Sequence, residues 1–378
     1  MNNSAGRNLN LVLSGGGIRG IAYSGAYEVA EQKGYNFIDI AGVSAGAIAG
    51  SIIGAGYRAN TFRRLIESFD YEKIKVEDIP KRVPVVSKYM EFSREYRYPA
   101  ERAAKYFFNQ QFNESGSNGG VKFNPSSLSY RYRGNILKNI VAFSREGCLF
   151  DGTYLEEWIY RVLLKRGIRT FGDLKGGLAD EVNPAGYKVR VLAVDATREK
   201  VIVLPDDCVF YGIKPDNFEV AKAVRMSASV PFAFKPVELK KQEGNSVKTY
   251  NIVDGGVLDN FPLWMIGSTN YLPAIGFKLE GEKNKFFTMD TPLQILKFLI
   301  SCVHDIGIPK YQNYKNKYVA KINTGKVSAL DFDLSEEEKE YLYSEGRYSA
   351  LFLFNNIESK ITLSRKPGVF FNFPYRWR

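Results

Sequence analysis

The chain has 378 residues, of which 45% are hydrophobic and 25% charged, and it carries a formal net charge of +11. This composition is typical of a folded globular protein and excludes an intrinsically disordered chain. The positive charge favours anionic partners such as acidic lipid headgroups, although it fits a surplus that serves solubility equally well. Because the basic residues are dispersed, we expect no nucleic-acid polymer as a partner.

The cysteines and the apolar segments narrow the class of protein further. Cys148, Cys208 and Cys302 show neither metal-binding spacing nor a paired framework, so we expect no metal and no cofactor. The first residues lack the basic and apolar regions of a signal peptide, and the apolar stretches at 45–56 and 293–303 are too short to span a bilayer. These features predict a cytoplasmic protein.

The first seventy residues alternate between strand and helix patterns. An apolar run at 8–14 predicts a buried strand, and the segment 21–34 predicts a helix that ends at a glycine. A second strand is predicted at 35–42, and the small and apolar residues of 45–69 predict a second helix. This order is typical of an α/β fold with a parallel sheet.

The rest of the chain predicts an insertion, further sheet elements and a helical end. Residues 71–148 are basic, aromatic and interrupted by prolines, which indicates inserted helices and loops. Beyond them the patterns predict a helix at 151–167, a strand pair at 188–205, a helix at 217–230, strands at 249–262 and 274–279, and an amphipathic helix at 335–354.

We therefore expect one α/β domain over residues 8–285, with the insertion at about 71–148 forming a helical cap. Its central, largely parallel sheet should be flanked by helices on both faces. A mainly helical C-terminal extension, residues 286–378, should pack on the same domain.

The pentapeptide GVSAG places Ser44 between a predicted strand and a predicted helix. This G-x-S-x-G pattern, with Gly42 and Gly46, is typical of a nucleophile elbow, in which a sharp turn raises the serine hydroxyl above the sheet. The helix that follows would direct its dipole and free N–H groups at the same place. A serine that merely caps the helix fits the pattern at least as well.

The hexapeptide GGGIRG, residues 15–20, allows three interpretations. Its G-x-G-x-x-G spacing, with Asp39 about twenty residues later, fits a dinucleotide-binding turn. Alternatively, Gly15, Gly16 and Gly17 form an oxyanion loop whose backbone N–H groups face a developing negative charge. In that interpretation Arg19 braces the loop or adds positive potential to the oxyanion hole, and Gly20 completes the motif. A structural turn without chemistry is the third interpretation.

The tripeptide DGG puts Asp254 at the end of an apolar strand, followed by Gly255 and Gly256. If that strand is parallel to the one before Ser44, the two side chains meet at the same sheet edge. An isolated Asp-Gly pair is more often a self-bonded turn, and a carboxylate with a pKa of about 3.9 is a weak base unless it is desolvated. The chain's one histidine, His304, lies on a predicted helix and is interpreted as structural.

The order of these motifs resembles the patatin-like phospholipase family. GVSAG follows GGGIRG by about two dozen residues, and DGG follows roughly two hundred residues later. Five further segments resemble the family's sequence blocks over about 8–280: LFDGTYLEEWI, RTFGDL, VRVLAVDAT, AVRMSASVPFAFKPV and IVDGGVLDNFPL. The resemblance implies Ser44 as nucleophile, Asp254 as base in a Ser–Asp dyad without histidine, and Gly15–Gly17 as the oxyanion loop. The insertion and the tail after residue 285 lie outside it.

The resemblance implies a lipid acyl hydrolase that acts on phospholipids in preference to neutral lipids through an acyl-serine intermediate. A transacylase would share these residues, and a dinucleotide-binding protein remains the alternative for GGGIRG. Some bacterial members of the family are cyclic-nucleotide-activated effectors, so a nucleotide activator bound by the insertion is a further hypothesis.

The insertion also predicts a membrane contact. The segment EFSREYRYPAERAAKYFF interleaves aromatic rings with basic side chains, a pattern that pairs anionic headgroups while burying rings at the interface. We expect peripheral contact with an anionic membrane surface when the protein acts.

Overall fold

The computed structural model describes residues 7–74, 152–231, 233–267, 272–281, 317–329 and 333–364. These residues form a mixed, mostly parallel sheet flanked by helices, as the sequence predicts. The strands are β1 Arg7–Leu13, β2 Tyr35–Val43, β3 Val189–Asp195, β4 Lys200–Leu204, β5 Val237–Glu243, β6 Ser246–Asp254, β7 Ala274–Glu280 and β8 Lys317–Asn323.

The strands lie in the order β5-β6-β3-β2-β1-β7-β8, and β4 pairs with β3 at the side of this path. The five strands from β3 to β8 in this order are parallel to their neighbours, whereas β4, β5 and β6 pair in the antiparallel sense. Strand β3 is buried along its whole length, and its sequence is apolar apart from Arg190 and Asp195.

The described helices confirm most of the predicted ones, with one correction. They are α1 Ala22–Gln32, α2 Ala45–Gly54, α3 Ala59–Glu67, α4 Thr153–Leu164, α5 Val220–Ser227 and α6 Glu336–Ser364. The single helix predicted at 45–69 is two helices, because Gly56 adopts a φ of +77° and ends α2. The Tyr57 N–H bonds the Ile52 carbonyl and the Gly56 N–H bonds that of Ile53, which is a Schellman C-cap.

Alternating side chains of the central strands belong to two separate apolar clusters. Leu11 and Leu13 join the cluster that receives the buried faces of all six helices. Val12, between them, joins a second cluster that the segment 261–266 covers from the other side of the sheet. In the described part of the chain, that second face is therefore packed by a loop with a short 3-10 helix rather than by an α-helix.

The C-terminal part of the chain contributes to both the sheet and the helices. Strand β8, in a region predicted to be mainly helical, pairs in parallel with β7. Helix α6 crosses α1 at backbone contact distance, since a Cβ atom on Gly25 would overlap the Tyr343 carbonyl oxygen and one on Gly346 would overlap that of Ala22. The predicted insertion beyond residue 74 and His304 lie outside the described residues.

Candidate active site

Ser44 occupies a tight turn between β2 and α2. Its φ of 53° and ψ of −121° are values that residues other than glycine rarely adopt, and only 3% of its surface is exposed. A Cβ atom on Gly42 would overlap the Gly46 carbonyl oxygen, and one on Gly46 would overlap that of Leu13. The two glycines let three backbone segments meet around the serine, which is the construction of a nucleophile elbow.

The Ser44 hydroxyl does not cap helix α2. Ser44 stands at the N-cap position, yet its side chain makes no capping hydrogen bond. Its backbone N–H donates to Ser227 Oγ at 2.8 Å, and the Ser227 hydroxyl donates to the Leu192 carbonyl at 2.6 Å. The turn is thus tied to α5 and β3, and the hydroxyl of Ser44 is not used to hold the helix.

Asp254 is the last residue of β6, which runs antiparallel to β3 and yet brings the aspartate beside Ser44. The premise that its strand is parallel to β2 is wrong, because β6 pairs with β3 in the antiparallel sense. The register nevertheless places it beside the serine: Val43 pairs with Leu192 on β3, and Asp254 pairs with the next residue, Ala193. The side chains of Ser44 and Asp254 therefore meet across β3.

The Asp254 carboxylate is buried, and among the described residues only one of its two oxygens has an aligned hydrogen-bond donor. Its exposed fraction is 1%, and Oδ1 accepts a hydrogen bond from the Gly256 N–H at 2.7 Å. Oδ2 has no aligned hydrogen-bond donor among the described residues. Burial raises the pKa of Asp254 to about 7, although the neighbouring Ser44 hydroxyl and the Gly256 amide lower it. This carboxyl group is therefore a far stronger base than an exposed aspartate.

The glycine loop lies directly against Ser44, and its peptide groups are held through their carbonyl oxygens. Ser14 Oγ donates to the Gly15 carbonyl at 3.0 Å, and Arg19 Nε donates to the Gly16 carbonyl at 3.1 Å. Since N–H and C=O point in opposite directions across a trans peptide, the N–H groups of Gly16 and Gly17 face away from these anchors. Neither N–H makes a hydrogen bond within the described ranges.

Gly15 and Arg19 do not occupy the positions expected of oxyanion donors. The Gly15 N–H is occupied, because it donates to the Asn260 carbonyl at 3.1 Å. Arg19 is 2% exposed and directs its guanidinium at the Gly16 carbonyl, so it braces the loop rather than lining the cavity. The geometry leaves Gly16 and Gly17 as the loop's open donors.

The remaining motif glycines bring chain segments together. A Cβ atom on Gly20 would lie 3.0 Å from Ala45 Cβ, and one on Gly255 would lie 2.6 Å from the Leu192 carbonyl oxygen. Gly256 supplies the amide that bonds Asp254. The three sequence motifs thus converge on one site.

An apolar cavity opens beside the serine. The cavity is lined almost entirely by hydrocarbon and aromatic side chains, and Ser44 and Gly17 also line it. Its other described lining residues are Ile18, Ala45, Ile48, Ile66, Phe69, Tyr71, Leu155, Trp158, Ala228, Val230 and Phe234. Such a lining accepts a hydrocarbon chain and excludes water from the reacting groups.

Asp39 does not have the surroundings that a ribose-binding acid requires. It is 2% exposed, and its Oδ1 accepts hydrogen bonds from the Leu178 N–H at 2.9 Å and from Asn183 Nδ2 at 3.5 Å. This carboxylate holds the loop before β3 in place. The geometry thus argues against the dinucleotide interpretation of GGGIRG.

Two further features bear on cofactors and membranes. Within the described ranges, no three or more His, Cys, Asp or Glu side chains are grouped as they would be around a metal ion. Of the helices described, none combines the length and the apolar character needed to cross a membrane.

Several residues that shape the site were assigned no role from the sequence. Ser227 and Ser229 hold the backbones of Ser44 and Asp254, since the Asp254 N–H donates to the Ser229 carbonyl at 2.9 Å. Both serines lie in the block AVRMSASVPF, which supported the family resemblance but predicted no role for them. Asn260, six residues after Asp254, was likewise not predicted.

A sequence model of the patatin-like phospholipase family matches residues 11–266. The chain belongs to this family. The sequence is also 33% identical to the uncharacterized protein YqhO of Bacillus subtilis, over 348 residues that cover 90% of this chain and 97% of that protein. Membership in the family implies a lipid hydrolase.

Solved structures with a similar fold include two bacterial proteins. VipD from Legionella pneumophila is 19% identical with a TM-score of 0.48, over 93% of this chain and 68% of VipD. ExoU, in its complex with SpcU from the type III secretion system of Pseudomonas aeruginosa, is 17% identical with a TM-score of 0.37, over 94% of this chain and 52% of that one. The chain thus spans about half the length of ExoU.

Proposed function

We propose that this protein hydrolyses fatty-acyl esters of phospholipids, with Ser44 as nucleophile and Asp254 as general base. The observation that carries the proposal is the buried Asp254 carboxylate, whose pKa of about 7 is set by burial and whose Oδ2 lacks an aligned donor beside the Ser44 hydroxyl. Near neutral pH such a group is ionised in a large fraction of molecules and still basic enough to accept a proton.

In the acylation step Asp254 takes the hydroxyl proton as Ser44 Oγ forms a bond to the ester carbonyl carbon. The carbonyl π electrons move to oxygen and give a tetrahedral oxyanion. When it collapses, the bond to the alcohol oxygen breaks, and Asp254 returns its proton to the departing lysolipid. The fatty acyl group stays on Ser44, and charge and protons balance.

The oxyanion is stabilised by donors that are already in place. The open N–H groups of Gly16 and Gly17 supply hydrogen bonds, and the N-terminus of α2 adds positive potential. Since the loop is pinned through its carbonyl groups, little reorganisation is needed when the negative charge develops.

In the deacylation step the same carboxylate activates a water molecule. Asp254 takes one proton from the water, the resulting oxygen nucleophile attacks the acyl carbon, and Ser44 leaves with the proton. The apolar cavity holds the acyl chain during both steps. A net charge of +11 supports an anionic lipid surface over a neutral lipid droplet.

Product analysis of a defined phospholipid panel tests the function. The wild-type protein should release free fatty acid and lysolipid, detected by mass spectrometry, whereas Ser44→Ala should release neither. Added short-chain alcohol separates a hydrolase from a transacylase, because a transacylase passes most acyl groups to the alcohol as ester. Absence of any acyl product across the panel would contradict the proposal.

Two parts of the proposal depend on residues 75–148, which the structure does not describe. Peripheral contact with an anionic membrane and activation by a nucleotide both stay predictions from the sequence and the family. A cytoplasmic location stays a prediction as well.

A further inference from the structure

The glycine loop is anchored by a segment far along the chain. The Ile18 N–H donates to the Ala329 carbonyl at 3.0 Å, and Gly17 packs so closely that a Cβ atom on it would overlap the same oxygen. We define residues 317–329, which comprise β8 and the turn after it, as the arm. The family match ends at residue 266, so the arm lies outside it.

Each of the three peptide groups in the loop is held by at least one hydrogen bond. Ser14 holds the peptide between Gly15 and Gly16, and Arg19 holds the next one. The third peptide, between Gly17 and Ile18, is held by the arm. Gly17 has a φ of +58°, a left-handed conformation that glycine tolerates, and this brings its backbone against the arm.

The arm is itself rigidly supported. Its strand pairs with β7 along seven residues, from Lys317 to Asn323. The turn is closed by Thr324, whose N–H donates to the Glu280 carbonyl at 2.8 Å, and by the Val327 N–H, which donates to the Thr324 carbonyl at 3.2 Å. Helix α6 adds a hydrogen bond of 3.0 Å from Ser349 Oγ to the Lys321 carbonyl.

We propose that the arm is part of the oxyanion-stabilising machinery. Ala329 is then a positioning residue that fixes the peptide between Gly17 and Ile18 and thereby limits movement of the neighbouring Gly17 N–H. This inference rests on the proposed function, because it assigns Gly17 a role in stabilising the oxyanion. An N–H donor stabilises a transition state only when it is held at the correct position, and a displacement of about 1 Å costs on the order of a hundredfold in rate. The arm thus acts on catalysis without touching the substrate.

Small substitutions in the arm test the proposal. Ala329→Gly loosens the backbone at the anchoring carbonyl, and Val327→Ala removes buried contacts from the turn. Ala30→Gly and Val189→Ala are matched controls, since they are buried residues of the same types elsewhere in the core. Both arm variants should speed hydrogen exchange of the Ile18 amide on the order of tenfold, whereas the controls should leave it unchanged.

Steady-state kinetics with a phospholipid supply the second measurement. The arm variants should lower kcat about tenfold or more with little change in KM, because the lost interaction is made only in the transition state. The controls should keep kcat at equal loss of thermal stability. An unchanged Ile18 exchange rate in both arm variants, or an equal rise in the controls, overturns the role of the arm.

The two measurements keep the two proposals separate. If the wild-type protein hydrolyses no acyl ester, the proposed function fails, and Ile18 exchange still shows whether the arm holds the loop. If the wild-type protein is active and Ile18 exchange rises without a fall in kcat, the function stands and the positioning role is wrong.

Discussion

Two buried aspartates at the ends of neighbouring strands differ in how their Oδ2 atoms are bonded. Asp195 ends β3 and Asp254 ends β6; each has at most 1% of its surface exposed, and each accepts an N–H from two residues ahead through Oδ1. Asp195 Oδ2 accepts a hydrogen bond from the Tyr211 hydroxyl at 2.6 Å, whereas Asp254 Oδ2 has no aligned donor among the described residues. A fully bonded carboxylate serves structure, and a half-bonded one beside a serine is free to take a proton.

The largest difference between Asp254 and Asp195 should appear in phospholipid turnover. Asp254→Asn and Ser44→Ala should each lower kcat about 10⁴-fold or more, since an amide cannot accept the proton and alanine cannot attack. The double variant should be little worse than either single one, because the two residues act as a unit. Asp195→Asn should keep most activity per folded molecule and lose stability. Phospholipid turnover and thermal unfolding of the four variants check this contrast.

If Asp195→Asn were folded and as inactive as Asp254→Asn, the distinction between the two aspartates would be wrong. Circular dichroism and the elution volume of each variant show whether lost activity reflects lost folding.

The burial of Asp254 should also appear in how the free energy of unfolding depends on pH. The pKa of Asp254 is about 7 in the folded state against an ordinary value of 3.8, so the folded protein binds this proton more tightly than the unfolded chain. The free energy of unfolding therefore falls as pH rises from about 4 to about 7, and the cost is fully present above pH 7. A pKa difference of about three units between the folded and the unfolded state corresponds to roughly 4 kcal/mol of unfolding free energy.

Asp254→Asn removes that cost and should be more stable than the wild-type protein at pH 8. Its advantage should shrink by roughly 2–3 kcal/mol at pH 5, where the folded wild-type carboxyl is protonated. Chemical denaturation at the two pH values measures the change. A stability difference that does not depend on pH would show that the Asp254 pKa is not raised.

A smaller loss should follow from loosening the glycine loop. Ser14→Ala removes the hydrogen bond to the Gly15 carbonyl and leaves the Leu279 N–H, which now donates to Ser14 Oγ at 3.0 Å, without its acceptor. We expect kcat to fall about tenfold to a hundredfold with KM nearly constant. Ser24→Ala is the matched control, since Ser24 Oγ also donates to a nearby carbonyl, that of Ile21. An equal loss in both variants would contradict the role of Ser14.

The resemblance of the motif order to the patatin-like phospholipase family was enough to predict that Ser44, Asp254 and the glycine loop lie in one site. The strand patterns alone were not, because they left open the direction of the strand that ends at Asp254. The direction of β6 depends on its hairpin with β5, and β5 was not predicted, since most residues of its sequence VELKKQE are charged or polar. The sequence also did not indicate that Asn260 occupies the Gly15 N–H or that Ala329 holds Ile18. Those contacts are made by backbone atoms, which leave no residue-type signal.

The insertion should affect binding more than chemistry. Replacing Arg94, Arg97, Arg102 and Lys105 with serine should weaken binding to anionic liposomes, each lost charge contributing about 1 kcal/mol near the surface. Wild-type binding should itself weaken as salt is added. Liposome sedimentation at two salt concentrations measures both effects. Unchanged binding of the fourfold variant would leave these residues as an ordinary solvated surface.

The smallest effect is expected at the chain's one histidine. His304→Ala should retain most activity, because Asp254 rather than an imidazole is the proposed base. The comparison with Ser44→Ala is the informative one: a folded His304→Ala protein that is equally inactive would restore a histidine mechanism.

The most direct test of the Ser–Asp mechanism is to observe the acyl group on Ser44. The wild-type protein is mixed with a defined phospholipid, quenched in acid within one turnover and digested, and the peptide that contains Ser44 is weighed by mass spectrometry. A Ser–Asp mechanism predicts a mass increase equal to one fatty acyl group on Ser44, absent from Ser44→Ala and strongly reduced in Asp254→Asn. An active protein that carries the acyl group on another residue, or an Asp254→Asn variant that acylates Ser44 at the wild-type rate, would contradict it.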